Sequence, residues 1–521
     1  MKFILMIPFG GLPISSPDLG EWYHKARRTE EIDVINLNYE FWLHIVSQEC
    51  MRLLVGDKVN EISMSNTTLQ RLEAEKSFAD LRSYNTYFSK NNYSRCIERI
   101  ENYLRFLNSC QAELSFSILL GLRVNQIDYN HTKSVERYLD DAPLLEKILY
   151  SYFNKNSMKA DGLLLKVRTQ YELVFTIVLC KVIRNLKRGI KICLVDREYE
   201  SFILNNVGLD NTLFKNAFDS IVLKPTERNL LILIEALKAN QSIPYIIEEK
   251  TLHEIEGPSG QYQKKQYKKT EFVPTLKSFV PDYSVSTRLS MRPCYWKKCS
   301  FCIQNTKVGL LEANIREDEK YAHIKLMYES GYRYFVFIDE ALDRSTIVDF
   351  GKWVKEQGLE ITWLFRTRLD CGFDQELVET IAASGCISVG FGFETINCLT
   401  LKSMNKYKDI PSLSEIGRLL DMLVKNNIMI HLNLILGYPG ESIADMNKTI
   451  EYVGELLNTS YLYTFTLNRF TLFKNTRIYE NPEDYGIEIS EAETDFSFTK
   501  AHEIKDRTYS DMEFNKFIYK A

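Results

Sequence analysis

The sequence predicts an α/β protein with two sheets, an open parallel sheet in the N-terminal half followed by a partial (β/α)6 barrel. Two observations carry this prediction. Short apolar strands alternate with amphipathic helices between Gly162 and Leu237, a pattern typical of an open parallel sheet. Between Ser286 and Leu467 a strand-then-helix unit repeats six times, which is fewer than the eight units of a complete barrel. We therefore expect the chemistry in the loops that follow the barrel strands.

Composition excludes several classes of protein. The chain has 521 residues, 26% of them charged and 45% hydrophobic, so it is neither disordered nor collagen-like. Its 65 basic and 69 acidic side chains give a net charge of −4, and we expect neither nucleic acid nor a membrane surface as a partner. The most apolar stretch, Leu173 to Cys180, is too short to span a bilayer. Eleven cysteines without regular spacing indicate a reduced, cytoplasmic protein.

The predicted elements divide the chain into four parts. Residues 1–255 form the first domain, 256–281 a polar linker, 282–486 the barrel and 487–521 a short C-terminal extension. In the first domain we expect strands at 3–7, 32–37, 163–167, 190–195 and 218–223, helices at 171–186 and 227–237, and a mostly helical insertion that reaches about residue 158. In the barrel we expect strands at 286–291, 334–338, 361–365, 388–391, 429–436 and 462–467.

A cysteine triplet after the first barrel strand is the strongest chemical signal. Cys294, Cys299 and Cys302 lie within nine residues of one loop, so their thiolates could converge on one metal centre. Zinc would require a fourth ligand, and the nearest downstream histidine, His323, lies in a predicted helix. Three thiols suit a [4Fe–4S] cluster with one open iron. The other eight cysteines are expected to pack as small hydrophobic side chains.

This triplet resembles the cluster-binding motif of radical S-adenosylmethionine (SAM) enzymes, Cys-x3-Cys-x2-Cys with an aromatic residue before the last cysteine. Phe301 fills the aromatic position. The first spacing is four residues instead of three, and Pro293 replaces a glycine that is frequent in radical SAM proteins with an N-terminal cobalamin-binding-type domain. The resemblance implies a radical SAM barrel preceded by a Rossmann-like domain of cobalamin-binding type.

Further motifs along the barrel resemble the same family in order and spacing. They are FVFIDE at 335–340, WLFRTR at 363–368, GCISVGFGFE at 385–394 and NLILGYPGES at 433–442. Because alternate residues of a strand share a face, His431 and Asn433 should point together, as should Gly390, Gly392 and Glu394, and likewise Arg366 and Arg368. Polar side chains at the ends of apolar strands predict a barrel mouth lined for a polar ligand.

The resemblance also implies a cofactor set and site residues. A reduced [4Fe–4S] cluster held by the three cysteines would split SAM into methionine and a 5′-deoxyadenosyl radical, with an electron donor such as flavodoxin or ferredoxin. Phe301 would lie near the adenine and Glu394 would contact the ribose or amino group of SAM. The remaining candidates for contact with SAM or substrate are Asp339, Glu340, Arg368 and Asn433. The protein's own task is orientation and exclusion of water.

The N-terminal domain matches a cobalamin-binding domain only in part. The expected Gly-Gly reads Leu194-Val195-Asp196, the GEGE turn reads Lys224-Pro225-Thr226-Glu227, and no Asp-x-His-x-x-Gly motif is present. Glycines matter at such turns because they allow a ligand to approach the backbone closely. Three hypotheses stay open. The chain is a cobalamin-dependent methyltransferase or other radical catalyst acting on a peptide or small natural product, a radical SAM catalyst without cobalamin, or a non-catalytic partner in a biosynthetic complex.

Overall fold

The computed structural model describes residues 3–7, 32–56, 64–118, 121–129, 131–141, 143–156, 159–167, 170–195, 212–222, 227–239, 241, 243–247, 279–290, 294–303, 321–459, 462–490, 499–500, 502–505 and 507–520. The chain forms two compact units, which we describe separately. The first unit comprises Met1–Ser284 with Glu493–Ser497, and the second comprises Val285–Ala492 with Phe498–Ala521. The predicted linker at 256–281 lies outside the described residues up to position 278.

The first unit is built on a six-stranded parallel sheet in the order β2-β1-β5-β6-β7-β8. Its strands are β1 (Phe3–Ile7), β2 (Ile32–Asn36), β5 (Gly162–Leu165), β6 (Lys191–Leu194), β7 (Ser220–Val222) and β8 (Ile246–Ile247). Helices α8 (Gln170–Leu186), α9 (Thr212–Ala217) and α10 (Glu227–Lys238) connect them. The chain starts at β1, adds β2 on one side and then β5 on the other, so a topological switch point lies between β1 and β5. The predicted open parallel sheet is confirmed.

The insertion between β2 and β5 is mostly helical, as predicted, but it also contains an unpredicted antiparallel hairpin. The hairpin strands are β3 (Leu114–Ser117) and β4 (Gly121–Val124). The helices are α1 (Leu37–Ile45), α2 (Gln48–Val55), α3 (Met64–Asp80), α4 (Tyr84–Tyr87), α5 (Lys90–Cys110), α6 (Thr132–Asp140) and α7 (Pro143–Lys155). The Asn108 side chain at the end of α5 bonds both the N–H and the carbonyl of Phe116, which fixes β3 against this helix.

The second unit is built on a curled, six-stranded half-barrel in sequential order, β14-β13-β12-β11-β10-β9, and the pairs from β10 to β14 are parallel. Its strands are β9 (Ser284–Thr287), β10 (Tyr334–Phe337), β11 (Thr362–Thr367), β12 (Cys386–Glu394), β13 (Met429–Leu436) and β14 (Thr464–Arg469). Its helices are α11 (Ala322–Glu329), α12 (Arg344–Glu356), α13 (Gln375–Ala383), α14 (Cys398–Ser403), α15 (Leu413–Lys425) and α16 (Ile443–Asn458), followed by α17 (Arg477–Glu480), a 3-10 turn (Pro482–Tyr485), the hairpin β15 (Ile487–Ile489) and β16 (His502–Ile504), and α18 (Asp511–Lys520). The predicted partial (β/α)6 barrel is confirmed.

The half-barrel has two chemically different faces. Alternate residues such as Phe335, Trp363, Phe391 and Leu432 are fully buried in a core with the apolar sides of the helices. The opposite face, called here the inner face, carries Val336, Leu364, Arg366, Gly390, Gly392, His431, Asn433, Thr464 and Thr466. Polar groups therefore concentrate on the side of the sheet that the helices do not cover.

Strand boundaries differ from the prediction where side chains capture backbone groups. The first barrel strand was expected at 286–291 but ends at Thr287, because the Asp339 carboxylate accepts hydrogen bonds from the N–H groups of Leu289 and Ser290. Strand β13 matches its predicted span. None of the helices in the described part of the chain is long and apolar enough to cross a membrane.

Candidate active site

The cysteine loop follows β9 and presents its thiols at different depths. Cys299 is buried, whereas Cys294 and Cys302 are partly exposed. The backbone of Lys297 adopts a left-handed conformation with φ of 52°, which turns the loop between the first two cysteines. Among the described residues, no three Cys, His, Asp or Glu side chains are arranged as a ready set of metal ligands, so the three thiols are not drawn together in this structure. His323, the nearest downstream histidine, bonds the carbonyl of Arg288 through Nε2.

The cysteine loop is hydrogen-bonded to the segment that follows α14. The N–H of Ser300 donates to the carbonyl of Met404 over 2.9 Å, and the indole N–H of Trp296 donates to the carbonyl of Asn405 over 2.8 Å. In return, Asn405 donates through its side chain to the carbonyl of Lys298. These bonds join residues more than 100 positions apart in the chain, and they bring Lys406 and Tyr407 next to the cysteine loop.

The turn after β13 supports the loop from another side. The hydroxyl groups of Ser300 and Tyr438 lie 2.9 Å apart, and both are buried. Phe301 packs edge-on against Tyr438, with ring centroids 6.5 Å apart. Glu441 in the same turn accepts hydrogen bonds from the N–H of Gly437 and the hydroxyl of Thr395. The motif at 433–442 thus packs against the cysteine loop and supports it.

Glu394 ends β12 in an ion pair with Lys406. The Lys406 Nζ lies 2.6 Å from Glu394 Oε1, and both side chains are less than 10% exposed. Glu394 has a φ of 67° and follows a shift of the β12–β13 register, features that mark a bulge and redirect its side chain. Its carboxylate folds back over Gly392, where an added Cβ would lie 2.7 Å from Oε1.

Sequence reasoning missed Lys406. No pattern in the sequence distinguishes it from a solvated surface lysine, because it lies in the segment after α14 whereas its partner lies at the end of β12. Burial by itself lowers the pKa of Lys406, but the Glu394 carboxylate, followed by Tyr407 and Cys299, outweighs burial and raises it. Lys406 is therefore a buried cation at neutral pH, beside a buried thiol.

Arg368 is a second buried cation in contact with the cysteine loop. Its guanidinium forms a bidentate pair with Asp370, with Nε–Oδ1 and Nη2–Oδ2 distances of 2.8 and 2.7 Å. It also lies over the rings of Trp296, Tyr407 and Tyr295, at 4.4, 5.1 and 5.8 Å from their centroids. Cation–π contacts of this kind fix the loop against the end of β11.

The two cations act on the central thiol of the triplet. Desolvation raises the pKa of Cys299, while Lys406 and Arg368 oppose this effect. Desolvation, with the nearby Glu394 carboxylate, outweighs the two cations, so the pKa of the Cys299 thiol is raised overall.

Two acidic candidates from the sequence lie at the end of β10. Asp339 is buried and is occupied by the loop after β9, because it accepts the two backbone bonds described above and one from the Ser290 hydroxyl at 2.7 Å. Glu340 follows it and is half-buried.

Asn433 lies on the inner face in a polar network. Its Oδ1 accepts a hydrogen bond from His431 Nε2 over 3.3 Å, while His431 Nδ1 lies 2.7 Å from the Thr464 hydroxyl. Thr466 contacts His431 Nε2 at 3.2 Å. The predicted pairing of His431 and Asn433 on one face is confirmed by their contact, although neither touches the cysteine loop through a described hydrogen bond.

No protein-family model and no curated protein sequence matches the chain. Among solved structures it is similar to TsrM from Kitasatospora setae, a radical S-adenosylmethionine methyltransferase with cobalamin and a [4Fe–4S] cluster bound. The TM-score is 0.45 at 15% identity, over 69% of this chain and 73% of that one. It is also similar to OxsB, a cobalamin-dependent S-adenosylmethionine radical enzyme with aqua-cobalamin bound, with a TM-score of 0.44 at 13% identity over 72% of this chain and 59% of that one.

Proposed function

We propose that the chain is a radical SAM enzyme whose cluster site is the loop of Cys294, Cys299 and Cys302. One observation carries the proposal. The loop with the three thiols is bonded to the segment that supplies Lys406, and Lys406 pairs with Glu394 at the carboxyl end of a barrel strand. Thiols for a metal and charged groups for a polar ligand therefore meet where barrel enzymes carry their chemistry.

The donor set fits an iron–sulfur cluster. Thiolates are the ligands of such clusters, and three of them on one loop leave one iron open. Lys406 and Arg368 would partly offset the cost of a thiolate at Cys299, which is the buried thiol of the three. A bound and reduced cluster would supply the electron needed to split SAM into methionine and a 5′-deoxyadenosyl radical.

The residues around the loop match the chemistry of SAM, which carries a carboxylate, an ammonium group, a ribose and an adenine. Lys406 would bind the carboxylate as a buried cation, and Glu394 would accept from the ammonium or the ribose hydroxyls. Phe301 would pack near the adenine, and Asn433 would contact the ribose side of the ligand. Arg368 would act through the aromatic residues of the loop, and Asp339 would hold the loop after β9 in place.

A second candidate function concerns the first unit. Its parallel sheet has a switch point between β1 and β5, and in open α/β sheets ligands bind outside the carboxyl ends of the strands at such a point. This favours a bound cobalamin, and with it methyl transfer to a peptide or small natural product, over a radical SAM reaction without cobalamin. Titration of the purified chain with hydroxocobalamin tests the assignment. Absence of binding would favour a radical SAM reaction without cobalamin.

Anaerobic reconstitution tests the main proposal. We expect about four irons per chain, lost in Cys299→Ala and retained in Cys398→Ala, since Cys398 is exposed and lies outside the loop. With SAM and a reductant such as flavodoxin, the wild type should release 5′-deoxyadenosine. A chain that binds no iron, or that binds iron and SAM without releasing this product under any reductant, would favour the non-catalytic hypothesis.

A further inference from the structure

Strand β12 ends in a short irregular segment, Gly392 to Glu394. Gly392 pairs in register with Asn433 and Glu394 with Leu434, so the intervening Phe393 has no counterpart on β13. Two residues opposite one are the mark of a β-bulge, which bends a strand and redirects its side chains. The place of the Glu394 carboxylate therefore depends on the contacts that hold this bulge.

Tyr407 bonds the backbone of the bulge. Its hydroxyl donates to the carbonyl of Gly392 over 2.8 Å. The Tyr407 side chain is buried, and burial raises the pKa of the phenol, so the hydroxyl keeps its proton at neutral pH and can donate. Loss of the hydroxyl would deprive the half-buried carbonyl of Gly392 of this donor, which costs free energy. The Tyr407 hydroxyl therefore stabilises the observed geometry of the bulge.

Lys406, the residue before Tyr407, holds the other end of the same bulge. Its Nζ lies 2.6 Å from Glu394 Oε1 and passes close to Gly392, where an added Cβ would lie 2.5 Å from this nitrogen. Two adjacent residues thus contact a segment of three, one through a carbonyl and the other through a carboxylate. Because the two contacts lie at opposite ends of the segment, together they fix the place and the direction of the Glu394 side chain.

The stretch that supplies Tyr407 is itself held by the cysteine loop and by β11. The carbonyls of Met404 and Asn405 accept the hydrogen bonds from the cysteine loop described above. Asn405 has a left-handed backbone with φ of 50°, which turns the chain at this point. The Arg368 guanidinium lies over the Tyr407 ring, 5.1 Å from its centroid. A continuous series of contacts therefore runs from the cysteine loop through residues 404–407 to Glu394.

Packing alone does not fix the Tyr407 ring. Tyr407 and the bulged Phe393 both line an apolar cavity of about 60 Å³, together with Leu401, Ile410 and Ile416. A side chain beside a cavity lacks part of the van der Waals contacts that would otherwise hold it. The hydroxyl bond to the bulge therefore supplies a directional contact that the packing on this side does not.

We propose that Tyr407 is a positioning residue of the SAM site, which orients Glu394 toward the ligand by holding the carbonyl of Gly392. This role rests on the proposed function, in which Glu394 contacts SAM. Tyr407 acts through Glu394 and touches neither the thiols nor the reacting atoms in this role. Its removal should therefore weaken SAM binding and leave cluster assembly and the cleavage step intact.

Equilibrium binding of radiolabelled SAM and initial rates of 5′-deoxyadenosine release, both on the anaerobically reconstituted full chain, test this role. In Tyr407→Phe we expect the wild-type iron content, a dissociation constant and KM for SAM that are about tenfold higher, and a kcat within about twofold of wild type. Tyr129→Phe is the matched control, because Tyr129 is equally buried and its hydroxyl lies 2.8 Å from the backbone nitrogen of Val124 in the first unit. This control should leave both constants unchanged.

A double-mutant cycle with Glu394→Gln shows whether Tyr407 acts through Glu394. If it does, Tyr407→Phe should change the dissociation constant for SAM by less than about twofold in the Glu394→Gln background. A merely structural role would weaken binding by the same factor in both backgrounds. If Glu394→Gln does not retain its iron, the comparison of KM and kcat between Tyr407→Phe and Tyr129→Phe decides.

Four results would overturn the role of Tyr407. They are an unchanged SAM affinity in Tyr407→Phe, a loss confined to kcat, an equal loss in Tyr129→Phe, and equal factors in the two backgrounds of the cycle. A wild type that binds no iron or releases no 5′-deoxyadenosine would instead contradict the proposed function, and the role of Tyr407 would fall with it. If the wild type releases this product and Tyr407→Phe matches it in KM, the proposed function stands and the role of Tyr407 alone is refuted.

Discussion

The Lys406–Glu394 pair should be the most costly single contact to break in the candidate site. Lys406 Nζ and Glu394 Oε1 lie 2.6 Å apart, and the exposed fractions are 9% for the Lys406 side chain and 6% for that of Glu394. Replacing Glu394 by Gln leaves the lysine charge buried without its counterion, so we expect the free energy of unfolding to fall by about 3–5 kcal/mol. Lys406→Met should cost a similar amount, because it leaves the carboxylate alone. The double variant should cost clearly less than the sum, since no unpaired charge remains.

Urea unfolding monitored by tryptophan fluorescence measures these differences in the second unit, where Trp363 is buried in the core and Trp353 packs against it. A matched control is the exposed pair of Lys505 and Glu488, in which the N–O distance is 3.0 Å and the exposed fractions are 49% and 62%. Glu488→Gln should change the unfolding free energy by less than about 1 kcal/mol. The contrast between the two substitutions isolates the effect of burial, because the chemical change is the same.

Two results would refute this reasoning. If Glu394→Gln costs no more than Glu488→Gln, the pair is not buried in solution. If the losses in the two single variants add in the double variant, Lys406 and Glu394 do not interact, and the proposed SAM-binding role of the pair loses its structural basis.

Three further predictions concern the frame of the site. Gly385→Ala should lower the free energy of unfolding by about 2 kcal/mol or more, because φ is +89° and the new Cβ would lie 2.0 Å from the Ile361 carbonyl oxygen. The control Gly417→Ala lies inside α15 with open space around it, and it should be neutral or stabilising in the same urea assay. Burial raises the pKa of Glu441 from its ordinary 4.5 to about 7, so the free energy of unfolding of the wild type should fall as pH rises from about 4.5 to about 7. Glu441→Gln should flatten this dependence between pH 5 and 8. An unchanged slope would contradict the assignment. Arg368→Lys keeps the charge but loses the bidentate and stacked geometry that hold the cysteine loop. Iodoacetamide should therefore alkylate buried Cys299 about tenfold faster in the iron-free variant than in the iron-free wild type, with exposed Cys398 as internal control. An equal rate for Cys299 would show that Arg368 does not hold the loop.

The sheets could be predicted from the sequence because their signal is local. An apolar run such as Met429–Leu436 alternates core and inner-face residues along its whole length, and the predicted and observed bounds of that strand coincide. The cysteine triplet is equally local, since its spacing is visible within nine residues. In both cases the residues that carry the pattern are neighbours in the chain.

The predicted strands differ from the structure where a side chain distant in the sequence forms hydrogen bonds with the local backbone. The first barrel strand stops at Thr287 because Asp339, about fifty positions away, captures two backbone N–H groups beyond it. The hairpin of β3 and β4 was missed because its strands have four residues each and depend on Asn108, which substitutes for a strand partner at Phe116. Periodicity within a window contains no information about such bonds.

The same limit explains why the sequence did not indicate a role for Lys406, although it indicated residues that surround it. The sequence predicted that Gly392 and Glu394 share a face, but it gave no reason for a glycine at 392, whose φ does not require one. The structure supplies the reason, since the Lys406 ammonium passes over Gly392 to reach Glu394, and any Cβ there would lie 2.5 Å from Nζ. A glycine without a conformational need, next to a buried acid, thus indicates that a long side chain from elsewhere in the fold crosses that position.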